Sequence, residues 1–172
     1  QEAEGLCFYR TQASVSGPPF LREWRETQLL RDRIIALHRE WPFDIIHAHS
    51  PSLNGLSATQ AAKRLGLPMV YEIRAFWEDA SVGNGTGTEG SIKYRLTRAL
   101  ENHVVARADR IAVICEGLRG DLVARGVLAE KIFVSPNGVD LELFGDPPPR
   151  DTALAAELGL GDAPLIGYIG SF

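Results

Sequence analysis

Short apolar runs rich in β-branched residues alternate along the chain with longer stretches in which apolar residues recur every three or four positions. The short runs cover residues 43–49, 68–73, 110–115 and 131–135. The first pattern is typical of buried strands and the second of amphipathic helices. Their alternation predicts stacked βαβ units, and therefore an α/β fold with a Rossmann-like, mostly parallel sheet and helices on both faces.

The first long periodic stretch predicts a helix over residues 20–40. One face of this helix is apolar, and the opposite face mixes acidic and basic side chains. The apolar face consists of Phe20, Trp24, Leu30, Ile34, Leu37 and Trp41. We expect the helix to pack on the sheet. A helix lying on a membrane surface is the alternative, which the near balance of acid and base disfavours.

Two serines are expected to cap the next helices. Ser52 precedes a periodic stretch over residues 53–65, and Ser91 precedes one that extends to residue 107. The predicted buried stripe of the second helix consists of Ile92, Leu96, Ala99, Leu100 and His103. Glu101 faces away from this stripe, so we expect it to form an ion pair or to cap a loop, with a direct ligand contact as the alternative.

Composition and charge exclude several classes of protein. With 172 residues, 45% of them hydrophobic and 23% charged, the chain is long enough for one domain with a proper core. A formal charge of -4 gives no general attraction to nucleic acid or to an anionic membrane. Cys7 and Cys115 have no cysteine or histidine at zinc-ligand spacing around them, so we expect reduced thiols.

Residues 68–79 carry the densest candidate chemistry. Their apolar run ends abruptly in Arg74, Trp77, Glu78 and Asp79. Ligands of open α/β sheets bind beyond the carboxyl ends of the strands, so we expect these side chains at a binding edge. For Glu78 and Asp79 the alternative is the solvated first turn of a helix, where carboxylates are favoured.

Two histidines lie on the preceding predicted strand. His47 and His49 are two positions apart, so they share one face of that strand. A metal site would need a third ligand, which the sequence does not locate, and we therefore expect no metal. One histidine is expected to pack against a helix, whereas His49, at the tip of the strand, is expected to face the cleft.

Two glycine-containing segments have turn character. Residues 85–90 satisfy the pattern G-x-G-x-x-G, but they do not follow a strand directly, so we reject a dinucleotide site in favour of a loop that orders around a ligand. In residues 136–140, Gly138 is free to adopt positive φ, and Asn137 and Asp140 can bond to nearby backbone. This turn is either structural or part of the cleft. Glu116, at a strand tip, has the same two interpretations.

Three segments are expected along the chain. Residues 1–144 form an N-terminal Rossmann-like domain, residues 145–151 a stiff proline-rich linker, and residues 152–172 the start of a second domain. We expect the chain to be truncated at both ends, with a first βα unit before Gln1 and most of the second domain after Phe172.

Several motifs in a fixed order resemble one family. They are residues 44–51 (DIIHAHSP), 71–79 (YEIRAFWED), 98–101 (RALE), 108–109 (AD), 114–118 (ICEGL), 131–140 (KIFVSPNGVD) and 169–170 (IG). Together they resemble a family 4 ("group 1") glycosyltransferase of the GT-B fold. The nearest branch is the one associated with exosortase and exopolysaccharide gene clusters. The resemblance covers roughly residues 5–172.

The resemblance implies a retaining transferase that moves a sugar from a nucleotide-sugar to a glycan or lipid-linked acceptor. This chain would be most of the acceptor-side domain, and a second domain would bind most of the donor, so the chain alone is expected to be inactive. No metal or other cofactor and no nucleic acid are implied. The implied location is cytoplasmic, with at most peripheral contact with the inner face of the membrane.

Site residues are assigned through the same resemblance. Arg74 and Glu78 are the implied catalytic residues, and His49, Trp77 and Asp79 the implied acceptor-binding residues. The residues assigned to the cleft or to structural motifs are Glu101, Glu116, Asn137, Gly138 and Asp140. Many relatives carry a histidine at the position of Arg74. Because an arginine cannot accept a proton at neutral pH, we expect Arg74 to bind a phosphate or carboxylate instead.

Two other functions remain open from the sequence. A sugar-nucleotide epimerase can share the GT-B fold, and it would release a sugar without using an acceptor. A non-catalytic module would bind a glycan or a protein through the same sheet edge.

Overall fold

The computed structural model of the chain describes residues 2–3, 5–11, 15–161 and 167. Leu165, Ile169 and Gly170, on which the predicted last strand and the last motif depend, lie outside the described residues. The chain divides into two compact units, residues 1–136 and residues 137–172.

The first unit contains most of the regular structure. Its strands are β1 (Glu2–Ala3), β2 (Leu6–Cys7), β3 (Ile46–His49), β4 (Met69–Ile73), β5 (Arg110–Val113) and β6 (Ile132–Val134). Its helices are α1 (Pro19–Glu40), α2 (Ser52–Leu65), α3 (Trp77–Gly83), α4 (Ile92–Arg107) and α5 (Glu116–Ala124), and a 3-10 turn (Ala129–Lys131) precedes β6.

Four of the strands form one parallel sheet, in the order β3-β4-β5-β6. Strands β1 and β2 form a separate antiparallel pair that turns at Gly5, whose φ is 76°. The register pairs His49 with Glu72 and Ile73 with Val113. The predicted α/β class with a Rossmann-like, mostly parallel sheet is confirmed.

The core lies between the sheet and the helices that connect its strands. Every second residue of β3 and β4 is buried, and these residues form one cluster with apolar residues of α2, α4 and α5. The main members are Ile46, Ala48, Ala58, Ala61, Met69, Tyr71, Ile73, Val104, Ile111, Val113 and Leu122. Gly55 permits a close approach of α2 to the rest of the core, because a Cβ atom there would lie 2.5 Å from Val104 Cγ1 and 2.8 Å from Tyr71 Cε2.

The opposite positions of β3 and β4 are more open. His47 and His49 are exposed, and Val70 and Glu72 are half-buried. The strand order follows the chain order, and right-handed crossovers then bring successive connecting helices to the same side of a sheet. The core cluster is consistent with this arrangement, and the polar face of β3 and β4 is therefore available to solvent.

Helix α4 begins at its predicted cap but buries the face opposite to the predicted one. Ser91 Oγ accepts a hydrogen bond from the backbone N–H of Tyr94. Ile92, Leu96 and His103, which were assigned to the buried stripe, are exposed. The buried residues are Glu101, Val104, Val105 and Ala108. The prediction was wrong because contacts with α2 and α3, not apolar periodicity, determine which face is covered.

Helices α1 and α2 also differ in detail from the predictions. The predicted helix over 20–40 is confirmed, but Phe20, Trp24 and Trp41 are exposed because α1 packs mainly against α2. Ser52 is the first residue of α2 and makes no capping hydrogen bond; Pro51 occupies the cap position. None of the helices formed by the described residues is long and apolar enough to cross a membrane.

The second unit contains two short helices, α6 (Leu141–Phe144) and α7 (Thr152–Glu157). Each begins at an aspartate whose side chain accepts hydrogen bonds from backbone N–H groups. Asp140 caps α6 and Asp151 caps α7. An aspartate is well suited to both positions, because its carboxylate satisfies N–H groups that have no partner inside the helix.

Candidate active site

The carboxyl ends of β3 and β4 bring four charged or titratable side chains together. We call His47, His49, Glu72 and Arg74 the strand-end cluster. Glu72 lies at its centre: its carboxylate oxygens are 3.1 Å from His47 Nε2, 3.4 Å from His49 Nδ1 and 4.0 Å from Arg74 Nη1. The side chains of His47, His49 and Arg74 are about half exposed, whereas Glu72 is largely covered.

Backbone contacts hold this edge in place. The N–H of Ser50 donates to the carbonyl of Glu72 at 2.8 Å, and Ser50 Oγ accepts from the N–H of Arg74 at 3.3 Å. The residue that follows β3 therefore ties the ends of β3 and β4 to each other. His49 and Arg74, which were both predicted as site residues, are positioned on either side of Glu72 by this connection.

The two histidines differ from the prediction in one respect. We expected one of them to pack against a helix, but the two rings stack on each other, with centroids 4.7 Å apart. Both side chains remain about half exposed. The reason is that they project from the polar face of β3, while the buried positions of that strand are Ile46 and Ala48.

Helix α3 presents the other predicted residues of this stretch. Trp77 is its first residue and is half exposed, and Glu78 and Asp79 lie in its first turn. Both carboxylates lie at a helix start, but the predicted alternative of a solvated helix start is confirmed only for Asp79 and is wrong for Glu78. Their surroundings differ greatly, because Glu78 is 1% exposed whereas the Asp79 side chain is 51% exposed.

Arg125, the residue that ends α5, holds both carboxylates. Its Nη1 is 2.8 Å from Glu78 Oε1, and its Nη2 is 3.4 Å from Asp79 Oδ2. The guanidinium also lies over the ring of Phe76, 3.7 Å from the ring centroid. Tyr94 Oη donates to Asp79 Oδ1 at 2.7 Å, which raises the pKa of Tyr94. These contacts fasten α3 to α4 and α5.

Glu101 is fully buried near the same carboxylates. We call Tyr71, Glu78, Glu101 and Arg125 the buried carboxylate cluster. Among the described residues, the buried side-chain oxygens without a hydrogen-bond partner are Tyr71 Oη, Glu78 Oε2 and both oxygens of Glu101. The neighbouring Tyr71 hydroxyl interacts electrostatically with Glu101 without reaching hydrogen-bond geometry.

Burial determines the protonation of this cluster. It raises the pKa of Glu101 to about 7; the charge of Glu78 acts in the same direction, whereas Tyr71 and Arg125 act in the opposite one. Burial, together with the charges of Glu101 and Glu78, also raises the pKa of Tyr71 above its usual range. Glu101 is therefore protonated in a substantial fraction of molecules near neutral pH.

The remaining predicted residues lie elsewhere. Glu116 is exposed in the first turn of α5 and pairs with Arg119 at 3.3 Å. Asn137, Gly138 and Asp140 are exposed residues of the second unit. Asp140 accepts from the N–H groups of Glu142 and Leu143, at 2.9 and 3.4 Å, which supports the structural interpretation of this turn.

Comparison with known proteins identifies the family. Residues 2–138 match the model of the glycosyl transferase 4-like domain, which is more than half of the chain. The chain belongs to this family. The resemblance to family 4 glycosyltransferases is thus confirmed, and the assignment to the exosortase-associated branch stays a prediction.

Two relatives of known activity extend this result. The glycosyl transferase 4-like chain is 34% identical over 135 residues to a D-inositol 3-phosphate glycosyltransferase of Xylanimonas cellulosilytica, covering 74% of the chain and 31% of that protein. It is 27% identical over 140 residues to a GDP-mannose-dependent alpha-mannosyltransferase of Mycolicibacterium smegmatis, covering 81% and 36%. The chain thus spans about a third of the length of these relatives. A UDP-N-acetylglucosamine 2-epimerase structure from Rickettsia bellii aligns with a TM-score of 0.49 and 19% identity, over 80% of this chain and 34% of that one.

Three grooves formed by described residues of the glycosyl transferase 4-like domain do not contain the strand-end cluster. One of about 500 Å³ lies between α1 and α2, and its lining includes Arg39, Arg64 and Leu65. The last two residues end α2, just before β4 begins, so this groove lies at the amino ends of the strands. The rule that ligands bind beyond the carboxyl ends therefore favours the strand-end cluster over this groove.

Sequence reasoning missed Glu72, Arg125 and Tyr94. Glu72 could have been found, because it shares a strand face with Arg74 at a spacing of two residues. Arg125 carried no such signal: it contacts Glu78 across 47 positions of sequence. Tyr94, in the first turn of α4, bonds through its hydroxyl to Asp79 across 15 positions of sequence.

Proposed function

We propose that this chain is the acceptor-side domain of a retaining glycosyltransferase that moves a sugar from a nucleotide-sugar to a glycan or lipid-linked acceptor. The family membership and the names of the relatives support a glycosyltransferase. A hexosyl donor fits the mannosyltransferase among them. The assignment to the exosortase and exopolysaccharide branch, and to the cytoplasmic side of the membrane, rests on the resemblance of the motifs.

The observation that carries the proposal is the position of Arg74. Its guanidinium stands half exposed at the carboxyl edge of a parallel sheet, beside Glu72 and on the same edge as His49. A permanent, planar cation there can hold the oxygens of a phosphate or a carboxylate through two parallel hydrogen bonds. We assign this role to Arg74, with the donor diphosphate or an anionic acceptor as its partner.

Acceptor binding is assigned to the exposed groups of the same edge. Trp77 offers a half-exposed aromatic surface on which a sugar can stack. His49 and Asp79, both about half exposed, can orient an acceptor hydroxyl. Asp79 already accepts from Tyr94 and Arg125, and these contacts hold its carboxylate in one orientation.

Glu78 receives a different role from the one that the sequence suggested. Its carboxylate is buried and bound to Arg125 at 2.8 Å, so it has no open path to an acceptor in this arrangement. We propose that Glu78 is a positioning residue. By holding Arg125, it fixes the start of α3 and thereby the placement of Trp77 and Asp79.

The transfer is proposed to need neither a metal nor another cofactor. A retaining transfer develops positive charge on the sugar and negative charge on the leaving diphosphate, and a fixed cation stabilises the latter. Arg74 supplies one such cation, and we propose that a second domain binds most of the donor. No nucleic acid is expected to bind. Membrane contact, if the acceptor is lipid-linked, is proposed to be peripheral.

Steady-state kinetics of the complete gene product test this function. A panel of nucleotide-sugars identifies the donor, and the Arg74→Ala variant is then compared with wild type. Loss of one preorganised hydrogen-bond donor typically lowers kcat by about 100-fold to 1,000-fold, and we expect a loss in this range for Arg74→Ala. Arg22→Ala, which removes an exposed arginine of α1, is the matched control and should leave kcat unchanged. Unchanged kinetics in Arg74→Ala would contradict the assignment.

Calorimetric titration tests whether the donor binds mainly to a second domain, outside this chain. Nucleoside diphosphates and nucleotide-sugars are titrated into the 172-residue chain and into the complete gene product. We expect binding only by the complete product. Tight binding by the chain alone would place the donor site in residues 1–172 and would contradict the assignment of this chain to the acceptor side.

A further inference from the structure

The polar face of β3 and β4 carries two side chains, His47 and Glu72, to which the proposed transfer assigns no role, and both lie beside His49. His47, His49 and Glu72 each present one metal-ligating atom, and these atoms lie within 4.8 Å of one another. The sequence showed the two histidines but not the third ligand. The strand register supplies it, because His49 lies directly opposite Glu72 in the neighbouring strand.

The distance from each histidine nitrogen to the Glu72 carboxylate matches the spacing of neighbouring ligand atoms in a coordination shell. Metal bonds of about 2.0–2.1 Å to histidine nitrogen, arranged tetrahedrally, place neighbouring ligand atoms about 3.3 Å apart. Glu72 Oε2 is 3.1 Å from His47 Nε2, and Glu72 Oε1 is 3.4 Å from His49 Nδ1. The stacked imidazole rings, 4.7 Å apart, direct a nitrogen each to the same carboxylate. The three ligand atoms, one from each residue, lie within 4.8 Å of one another, so side-chain rotations that shorten this spacing would let one ion bind all three groups.

The surroundings favour a cation with open coordination positions. Both histidine side chains are about half exposed, so an ion can enter and water can complete its shell. The Glu72 side chain is only 16% exposed, and its negative charge is therefore less screened by solvent than a surface carboxylate would be. Arg74, with Nη1 at 4.0 Å from Glu72 Oε1, is the one cation of the strand-end cluster that opposes such binding.

We infer that His47, His49 and Glu72 form a binding site for a divalent transition metal, with Zn²⁺ as the best-suited ion. Two imidazoles and one carboxylate suit Zn²⁺, whereas Mg²⁺ and Ca²⁺ prefer oxygen ligands and higher coordination numbers. The ion would link the edge strand β3 to β4. This metal site is separate from the proposed glycosyl transfer, which needs no metal. Metal binding can therefore be tested without measuring glycosyl transfer.

Calorimetry with Zn²⁺ tests the site on the purified chain. We expect one Zn²⁺ per chain with micromolar affinity, unaffected by a large excess of Mg²⁺. Loss of a residue that hydrogen-bonds to a metal ligand typically weakens metal binding about 10-fold to 100-fold, so loss of a ligand itself in His47→Ala or Glu72→Gln should weaken it at least as much. His103→Ala, which removes an exposed histidine of α4, is the matched control and should bind as wild type does.

A second measurement uses the unaltered protein, in case a variant fails to fold. The chain has four histidines, of which His38 and His103 lie outside the site. In NMR spectra of the imidazole protons, Zn²⁺ should shift the signals of His47 and His49 and leave those of His38 and His103 in place. No binding, equal binding by His47→Ala, or equal shifts of all four histidines would overturn the inference.

Discussion

The strand-end cluster and the buried carboxylate cluster contain similar side chains in opposite environments. In the strand-end cluster Glu72 meets two histidines and Arg74 at an edge that is open to solvent. In the buried carboxylate cluster Glu78 and Glu101 share a single close cation, Arg125, inside the domain. The strand-end cluster leaves its charged groups available to a ligand. The buried carboxylate cluster fixes helices in place, so the stability of the domain depends on the charges of Glu78, Glu101 and Arg125.

Solvent access explains why the two clusters should respond differently to substitution. An exposed ion pair contributes little to stability, because water and salt screen its charges. A buried charge that loses its partner keeps its full cost of desolvation. Substitutions in the buried carboxylate cluster should therefore change stability, and those in the strand-end cluster should change binding.

The largest effect is expected for Arg125→Ala. This change leaves Glu78 buried without its partner, which typically lowers the free energy of unfolding by about 3–5 kcal/mol. Urea denaturation of the variant and wild type measures the difference. The control is Arg119→Ala, which breaks the exposed pair with Glu116 and should cost at most about 1 kcal/mol. Equal losses of unfolding free energy in both variants would show that the buried pair stabilises the chain no more than the exposed pair does.

A slightly smaller change in the free energy of unfolding is expected when the pH is varied, because the folded chain raises the pKa of Glu101. Its pKa is about 7 in the folded chain, against an ordinary value of 4.5. Because the folded state holds this proton more tightly, unfolding between these values releases it, and rising pH favours the unfolded state. The contribution of Glu101 to the free energy of unfolding is thus highest below pH 4.5, falls by about 3 kcal/mol up to pH 7, and is constant above it.

Glu101→Gln tests this dependence with almost no change of shape. A neutral amide cannot release the proton, so the slope of the free energy of unfolding between pH 5 and pH 7 should become flatter than in wild type. The measurement is denaturant unfolding at a series of pH values. An unchanged slope would show that Glu101 does not cause the dependence of the free energy of unfolding on pH.

Gly55→Ala should destabilise the packing that surrounds the buried carboxylate cluster. The added Cβ atom would lie 2.5 Å from Val104 and 2.8 Å from the fully buried ring of Tyr71. Overpacking of this kind typically costs about 1–3 kcal/mol. Gly120→Ala in α5 has open space around it and should stabilise the chain by about 0.5–1 kcal/mol. Thermal unfolding of both variants should therefore show shifts of opposite sign.

The smallest effect on stability is expected at the strand-end cluster. Arg74→Ala removes a side chain that is about half exposed and lies 4.0 Å from Glu72, so the free energy of unfolding should change by no more than about 0.5 kcal/mol. The same variant is the one expected to lose turnover. If Arg74→Ala destabilised the chain as much as Arg125→Ala does, the two clusters would not differ in their contribution to stability, and the contrast between them would be wrong.

Local sequence patterns were sufficient for the main strands and helices of the sheet and for the cap at Ser91. The strands at residues 46–49 and 69–73 and the helix capped by Ser91 were predicted, because alternation, periodicity and capping depend on near neighbours. The covered face of α4 was not predicted. Its exposed Ile92 and Leu96 continue the apolar periodicity, whereas the buried Glu101 interrupts it.

The sequence by itself determined the class of fold, the family and the position of Arg74, Trp77, Glu78 and Asp79 in the segment that follows β4. Only the tertiary structure decided the partners of these residues. The register of β3 against β4 set Glu72 beside two histidines, and the docking of α5 brought Arg125 to Glu78. The physical reason is that spacing along the chain fixes which residues share an element face, whereas burial and charge pairing depend on contacts between residues far apart in sequence.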